Sequence, residues 1–170
     1  GHLDDTDLLY IAEDYEAAIR NKRLKGGDLL TARTGYPGTT SIVPPQYEGA
    51  QSFTTLITRP RRGLVDSEYL CAFINSEKGQ QFFEQNQIGG GQKNVNAGSL
   101  KKLPVAFPPT TGEQEAIVKA LSDVDALLAT LDQVIAKKRD LKQAAMQRLL
   151  TGKTRLPGFS GVWDVKQIGE

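Results

Sequence analysis

The chain has 170 residues, 39% hydrophobic and 24% charged, with a formal net charge of +1. This fits a folded body about one domain in size, and neither a disordered chain nor a membrane protein. No run approaches the roughly 18 apolar residues that span a bilayer, and the start lacks the basic-then-apolar form of an export leader. One histidine (His2) and one cysteine (Cys71) exclude a histidine metal cluster and an internal disulfide, so a cytoplasmic setting is expected.

The charge is unevenly spread. Residues 1–20 hold six acids against Arg20, residues 21–110 hold eleven Lys/Arg against six Asp/Glu, and residues 111–150 balance at six and six. A basic middle suits either a phosphate-binding surface or an ordinary solvated one.

In chain order, Leu8 to Ile11 reads as a short strand, and Glu13 to Arg23 as a polar stretch of open state. Gly26-Gly27-Asp28 is a turn, Leu29 to Arg33 a brief strand, and Thr34-Gly35-Tyr36-Pro37-Gly38 a second turn. Thr39 to Val43 is β-branched and strand-like until Pro44-Pro45, and Gln51 to Thr58 alternates as a half-buried strand. Asp66 can cap a helix with apolar positions Tyr69, Leu70, Phe73 and Ile74, and Ser76 can restart it toward Phe82 and Phe83. Gly89-Gly90-Gly91-Gln92-Lys93-Asn94-Val95-Asn96 is a glycine- and amide-rich loop. Leu103, Val105 and Phe107 alternate as a last strand before Pro108-Pro109.

At Thr111 the character changes. Thr111-Gly112-Glu113-Gln114 has the form of a capping box, and from Glu113 to Leu150 there is neither proline nor glycine. A helix of that span is about 57 Å long. Ile117, Leu121, Val124, Leu128, Leu131 and Ile135 alternate in spacings of four and three, the seam of a coiled coil, and Leu141 belongs to an adjacent stripe with Leu127 and Val134. Residues 113–132 are net acidic and residues 137–150 net basic. That polarity complements the helix dipole and equally suits an antiparallel partner of similar sequence. Thr151-Gly152 ends the helix.

No enzyme constellation is visible: there is no histidine base, no Walker-type phosphate loop and no metal-ligand spacing. Cys71, between Leu70 and Ala72, reads as a small buried hydrophobe. Three polar segments are left as candidates. Arg33, Thr34 and Tyr36 sit at a strand end and turn, where Arg can fork to guanine or phosphate and the hydroxyls suit phosphates; a carboxylate partner for Arg33 and packing for Tyr36 are equally open. Arg59, Arg61 and Arg62 flank Pro60, more in the manner of exposed loop bases than of a DNA surface. Gln92, Lys93, Asn94 and Asn96 offer amides and an amine able to read base edges, beside glycines that permit close approach to a groove.

Four stretches resemble the specificity subunit of type I restriction-modification systems. Gly27-Asp28-Leu29-Leu30-Thr31-Ala32-Arg33-Thr34-Gly35 is similar to that family's "GDIL…RTG" segment. Leu103 to Pro109 running into Glu113-Gln114-Glu115-Ala116-Ile117 is similar to its "P-P…EQ…I" helix entry. The helix with Lys137-Lys138 and Gln147 to Gly152 follows, and then Arg155 to Gly161 with Trp163. The resemblance implies an α+β fold: a compact recognition domain of mixed sheet and helix, then a long helix in an antiparallel coiled coil. The expected division is residues 1–110 as target recognition domain, 111–152 as spacer helix, and 153–170 as a tail that packs back on the recognition domain or opens the next one.

By the same resemblance the chain has no catalytic residue, metal or cofactor of its own. It reads one half of a split site in double-stranded DNA, with methyltransferase and restriction subunits as partners; the size of the chain and the polarity of the helix suggest in addition a homodimer through the long helix. The candidate DNA contacts are Arg33, Thr34, Tyr36, Gln92, Lys93, Asn94 and Asn96. The candidate helix interface is Ile117, Leu121, Val124, Leu128, Leu131, Ile135 and Leu141. The rival reading is a coiled-coil adaptor whose head binds a protein or ligand.

Overall fold

The computed structural model describes residues 3, 6–86 and 94–169. It divides into two compact units, residues 1–120 and 121–170.

The first unit is built on a three-stranded antiparallel sheet of order β2-β1-β3, with β1 Leu29–Ala32, β2 Thr40–Ile42 and β3 Thr55–Thr58. Leu29 pairs with Ile42 on one side and Thr58 on the other. The central strand is buried on both faces, so its alternate residues feed different clusters. Leu29 joins Leu70, Cys71, Ile74, Phe83 and Val95, while Leu30 joins Leu24 and Val43. The Thr31 and Thr40 hydroxyls, both buried, satisfy each other at 2.8 Å.

The turn between β1 and β2 admits only glycine at position 38. Its φ is 98°, and a Cβ there would lie 2.5 Å from the Phe83 ring. The turn before β1 is held by Asp28, 2% exposed, which accepts the Lys25 amide at 2.9 Å and takes Arg59 in a two-pronged pair at 2.6 and 2.8 Å. Burial pushes the Asp28 carboxyl up, but the Arg59 guanidinium and the Lys25 amide outweigh it and hold it below the usual carboxylate range. Arg59 is therefore a structural partner, which takes it out of the run of exposed loop bases.

Helices cover one face of the sheet. Asp66 caps α2 (Ser67–Asn75), accepting the Tyr69 amide at 2.9 Å, and Ser76 caps α3 (Glu77–Gln85). Leu70 and Ile74, four apart, and Cys71 between them face the core. Burial pushes the Cys71 thiol up, so it stays protonated and inert. The polar stretch near the start forms a short α1 (Glu13–Ala18) and one 3₁₀ turn, Arg20–Lys22. A second 3₁₀ turn, Pro45–Tyr47, follows the proline stop.

Two strand expectations fail. Leu8 to Ile11 has no regular structure, with Leu9 85% and Tyr10 97% exposed. Leu103 to Phe107 forms no strand; the Ala106 carbonyl accepts the Tyr69 hydroxyl at 2.8 Å, and Leu103 and Val105 pack on the first core cluster. Alternation reports which side chains meet a core, and backbone pairing is a separate condition.

Helix α5 runs from Thr111 to Leu149, 39 residues, with Gly112 in its first turn; the absence of proline and glycine from Glu113 to Leu150 predicts the rest. The capping box does not form. The Thr110 hydroxyl, one residue earlier, accepts the Glu113 amide at 3.4 Å, and Gln114 turns inward instead, 0% exposed. Its side chain accepts the Asp66 amide at 2.7 Å and donates to the carbonyls of Leu64 and Pro108 at 3.1 and 2.8 Å.

In the second unit Gly152, at φ 71°, ends α5 by donating to Leu149, and Thr154 donates to Arg148 at 3.0 Å. Trp163 packs its ring where a Cβ on Gly152 would stand 3.2 Å away, and the Arg155 guanidinium lies 5.2 Å from the ring centre. Val162, Val165 and Ile168 are exposed.

Candidate nucleic-acid interface

Three of the polar candidates lie at the end of β1. The Arg33 amide donates to the Thr54 carbonyl at 3.2 Å, extending the β1–β3 ladder one residue beyond the strands. Thr34 opens the turn, its carbonyl accepting the Tyr36 amide at 3.0 Å, and Tyr36 stands 83% exposed at the tip. A protruding phenol on a glycine-supported turn offers one hydroxyl and one aromatic face to an incoming ligand.

The second candidate segment meets the first. Val95, fully buried, donates its amide to the Arg33 carbonyl at 3.0 Å, so residues 62 apart in sequence share one hydrogen bond. Asn94 and Asn96 flank that anchor on either side. The Asn96 side chain has a structural duty: its carbonyl oxygen caps α4 (Ala97–Leu100) by accepting the Ser99 amide at 2.9 Å. Gln92 and Lys93 lie outside the described residues.

Two orphaned polar atoms mark this junction. Arg33 Nε and Asn94 Oδ1 are both shut from solvent without a hydrogen-bond partner. One is a donor, the other an acceptor, and they belong to the two segments that the Val95–Arg33 bond joins. Each unmet group costs about 1–3 kcal/mol, a cost that a change of side-chain position on ligand binding can recover. Backbone strain lies beside them: Thr54, whose carbonyl receives the Arg33 amide, is β-branched yet sits at φ 58°.

Arg33 also lines a cavity of about 650 Å³ with Lys22, Arg59 and Lys101, over an apolar floor that includes Leu56, Leu70 and Ile74. Among the described residues no group of three or more metal-ligating side chains is present, and no helix is long and apolar enough to cross a membrane. The helix candidates Ile117, Leu121, Val124, Leu128, Leu131, Ile135 and Leu141 are between 37% and 55% exposed, an apolar stripe along α5 that this single chain leaves substantially uncovered.

Sequence reasoning missed Gln114 and the Asp28–Arg59 pair as structural residues. The Gln114 signal was present, as a glutamine in the first turn of an amphipathic helix, but the capping-box pattern accounted for it too readily. Arg59 gave no local signal, because its partner lies 31 residues away.

The model of the family described as type I restriction modification DNA specificity domain matches residues 4–138. The provisionally named MjaX specificity subunit of a type I restriction enzyme, from Methanocaldococcus jannaschii, is 26% identical over 98% of this chain and 42% of its own. The MjaVIII specificity subunit from the same organism is 27% identical over 61% of this chain and 24% of its own. Among solved structures, the HsdS subunit from Thermoanaerobacter tengcongensis superposes with a TM-score of 0.66 at 19% identity. A chain from a structural study of complex assembly and conformational transition in the type I R-M system gives 0.68 at 19%. Each covers 82% of this chain and 36% of that one. The fold is thus shared with HsdS, and the chain spans less than half the length of these relatives.

Proposed function

The chain belongs to the type I restriction modification DNA specificity domain family, and from that premise we propose that it reads one half of a bipartite site in double-stranded DNA. The family match across residues 4–138 carries this reading. The junction of the Arg33–Tyr36 turn with the Asn94–Asn96 segment supports it: a guanidinium, a protruding phenol and amides, held together by the Val95–Arg33 bond. These side chains suit phosphate positioning and base-edge contact, and we assign DNA contact to Arg33, Thr34, Tyr36, Gln92, Lys93, Asn94 and Asn96.

In this proposal the chain is a non-catalytic specificity subunit working in the cytoplasm, and the methyltransferase and restriction subunits supply the chemistry. Residues 1–110 are the recognition domain, 111–152 the spacer helix and 153–170 the tail. Two copies pair antiparallel through Ile117, Leu121, Val124, Leu128, Leu131, Ile135 and Leu141. The acidic first half of each helix then lies beside the basic second half of the other.

Two measurements test it. Duplex affinity should fall steeply between low and physiological salt, since phosphate contacts release counterions; binding indifferent to salt would contradict DNA reading. Sedimentation of Leu128→Asp should give a monomer where the unmodified chain is a dimer. A dimer unaffected by that charge would remove α5 as the interface.

A further inference from the structure

The two edges of the sheet are finished differently. At β2, Asn75 stands in for a missing strand: its Oδ1 accepts the Thr40 amide at 2.9 Å and its Nδ2 donates to the Thr40 carbonyl at 2.7 Å. No side chain does this at β3. Because Arg33 donates to Thr54 and antiparallel pairing alternates, Leu56 and Thr58 turn their backbone groups toward β1, and Thr55 and Ile57 turn theirs outward. Among the described residues those outward amides and carbonyls have no hydrogen-bond partner.

This open edge faces the 650 Å³ cavity, which all four residues of β3 line. Leu100, Leu103 and Val105 contribute apolar lining, and Lys22, Arg33 and Lys101 contribute positive charge in addition to the paired Arg59; no carboxylate lines it among the described residues. An unpaired strand beside an apolar, cationic groove is an acceptor for an extended, acidic and apolar segment.

The chain contains such a segment. Leu8 to Ile11 is four residues long, like β3, and patterned as a strand. It is unpaired among the described residues, with Leu8, Leu9 and Tyr10 solvent-exposed, Asp4, Asp5 and Asp7 before it and Glu13 and Asp14 after it. We propose that Leu8–Ile11 of one copy adds to β3 of a second copy as a fourth strand, and that the exchange is reciprocal. Both orphaned features are then satisfied by one symmetric contact: the Thr55 and Ile57 backbone groups gain partners, Leu9 or Tyr10 enters the apolar groove, and the flanking acids meet Lys22 and Lys101. The contact is separate from the α5 stripe and does not depend on DNA reading.

Amide exchange in the full chain tests it. Leu9→Gly with Tyr10→Ser alters only exposed side chains, so the fold survives. The Thr55 and Ile57 amides should exchange about tenfold faster in that variant than in the unmodified chain. Equal rates would overturn the proposal, whether both are fast, which means an empty edge, or both slow, which means another segment holds it. To separate copies, isotopically labelled Tyr10→Cys chain is mixed with unlabelled Thr55→Cys chain under mild oxidation. A disulfide-linked heterodimer of mixed mass is expected. Its absence, or a Tyr10→Cys/Thr55→Cys chain that closes only on itself as a monomer, would overturn the exchange between copies.

Discussion

The side-chain carbonyl of Gln114 accepts the backbone amide of Asp66 at 2.7 Å, tying the first turn of the longest helix to the residue that caps α2. The same amide group donates to Leu64 and Pro108, so one buried side chain closes three backbone groups from two loops. Buried polar groups need their partners, and here all three depend on a single residue.

Gln114→Ala should therefore destabilise the first unit by about 2–4 kcal/mol, because it leaves one amide and two carbonyls unmet. Chemical denaturation measures this. A loss within about 0.5 kcal/mol, typical of a surface change, would mean that water or a rearranged loop replaces the glutamine.

The Asp28–Arg59 pair gives the unit an acid limb. The folded carboxyl lies below its ordinary range, near pH 4 for an unfolded aspartate. Its contribution is therefore complete above about pH 4 and drains as pH falls through the lowered folded value. Asp28→Asn should flatten that part of the stability profile, and Arg59→Met should weaken the unit at neutral pH by stranding a buried charge. The second effect is moderated by the exposure of the Arg59 side chain, about half. Urea midpoints measured from pH 6 down to pH 2.5 compare the three chains.

Gly38→Ala should cost roughly 2–4 kcal/mol, since the new methyl meets the Phe83 ring at 2.5 Å and φ is 98°. Gly35→Ala, also at positive φ but with open space around its Cβ, should cost about 1 kcal/mol. Thermal melts of the two variants separate steric from conformational strain. Equal losses would mean that Phe83 moves freely.

What could be read in the sequence divides along physical lines. Local signals carried well: Asp66 and Ser76 announced α2 and α3, and the absence of proline and glycine announced α5, because capping and helix propensity are properties of neighbouring residues. The turn at Thr34–Gly38 and the loop at Asn94–Asn96 were legible as polar segments, but their meeting through Val95 and Arg33 was not, since contact between distant segments leaves no local mark. Leu8–Ile11 and Leu103–Phe107 show the opposite error: each has the pattern of a strand but forms none among the described residues of the single chain. Gln114 was visible as a helix-start residue, yet its burial follows from the loop of Leu64 and Asp66 that tertiary folding brings to it.

Asn94 and Asn96 differ in a way that separates reading from folding. Asn96→Ala removes a helix cap and should cost about 1 kcal/mol of stability, so a binding change in that variant mixes two causes. Asn94 Oδ1 has no partner to lose and is buried at a cost, so Asn94→Ala should not lower the melting temperature. Any change in binding by that variant then reports on the ligand.

The most direct test of DNA reading is selection from a pool of randomised duplexes, run at physiological salt with the full chain and with Asn94→Ala. The account predicts an enriched short motif with the unmodified chain and loss of preference at one or two of its base pairs with the variant, each worth about 1–3 kcal/mol of discrimination. No enrichment with the unmodified chain would contradict sequence reading altogether, and an identical motif from both chains would remove Asn94 from the base-reading surface.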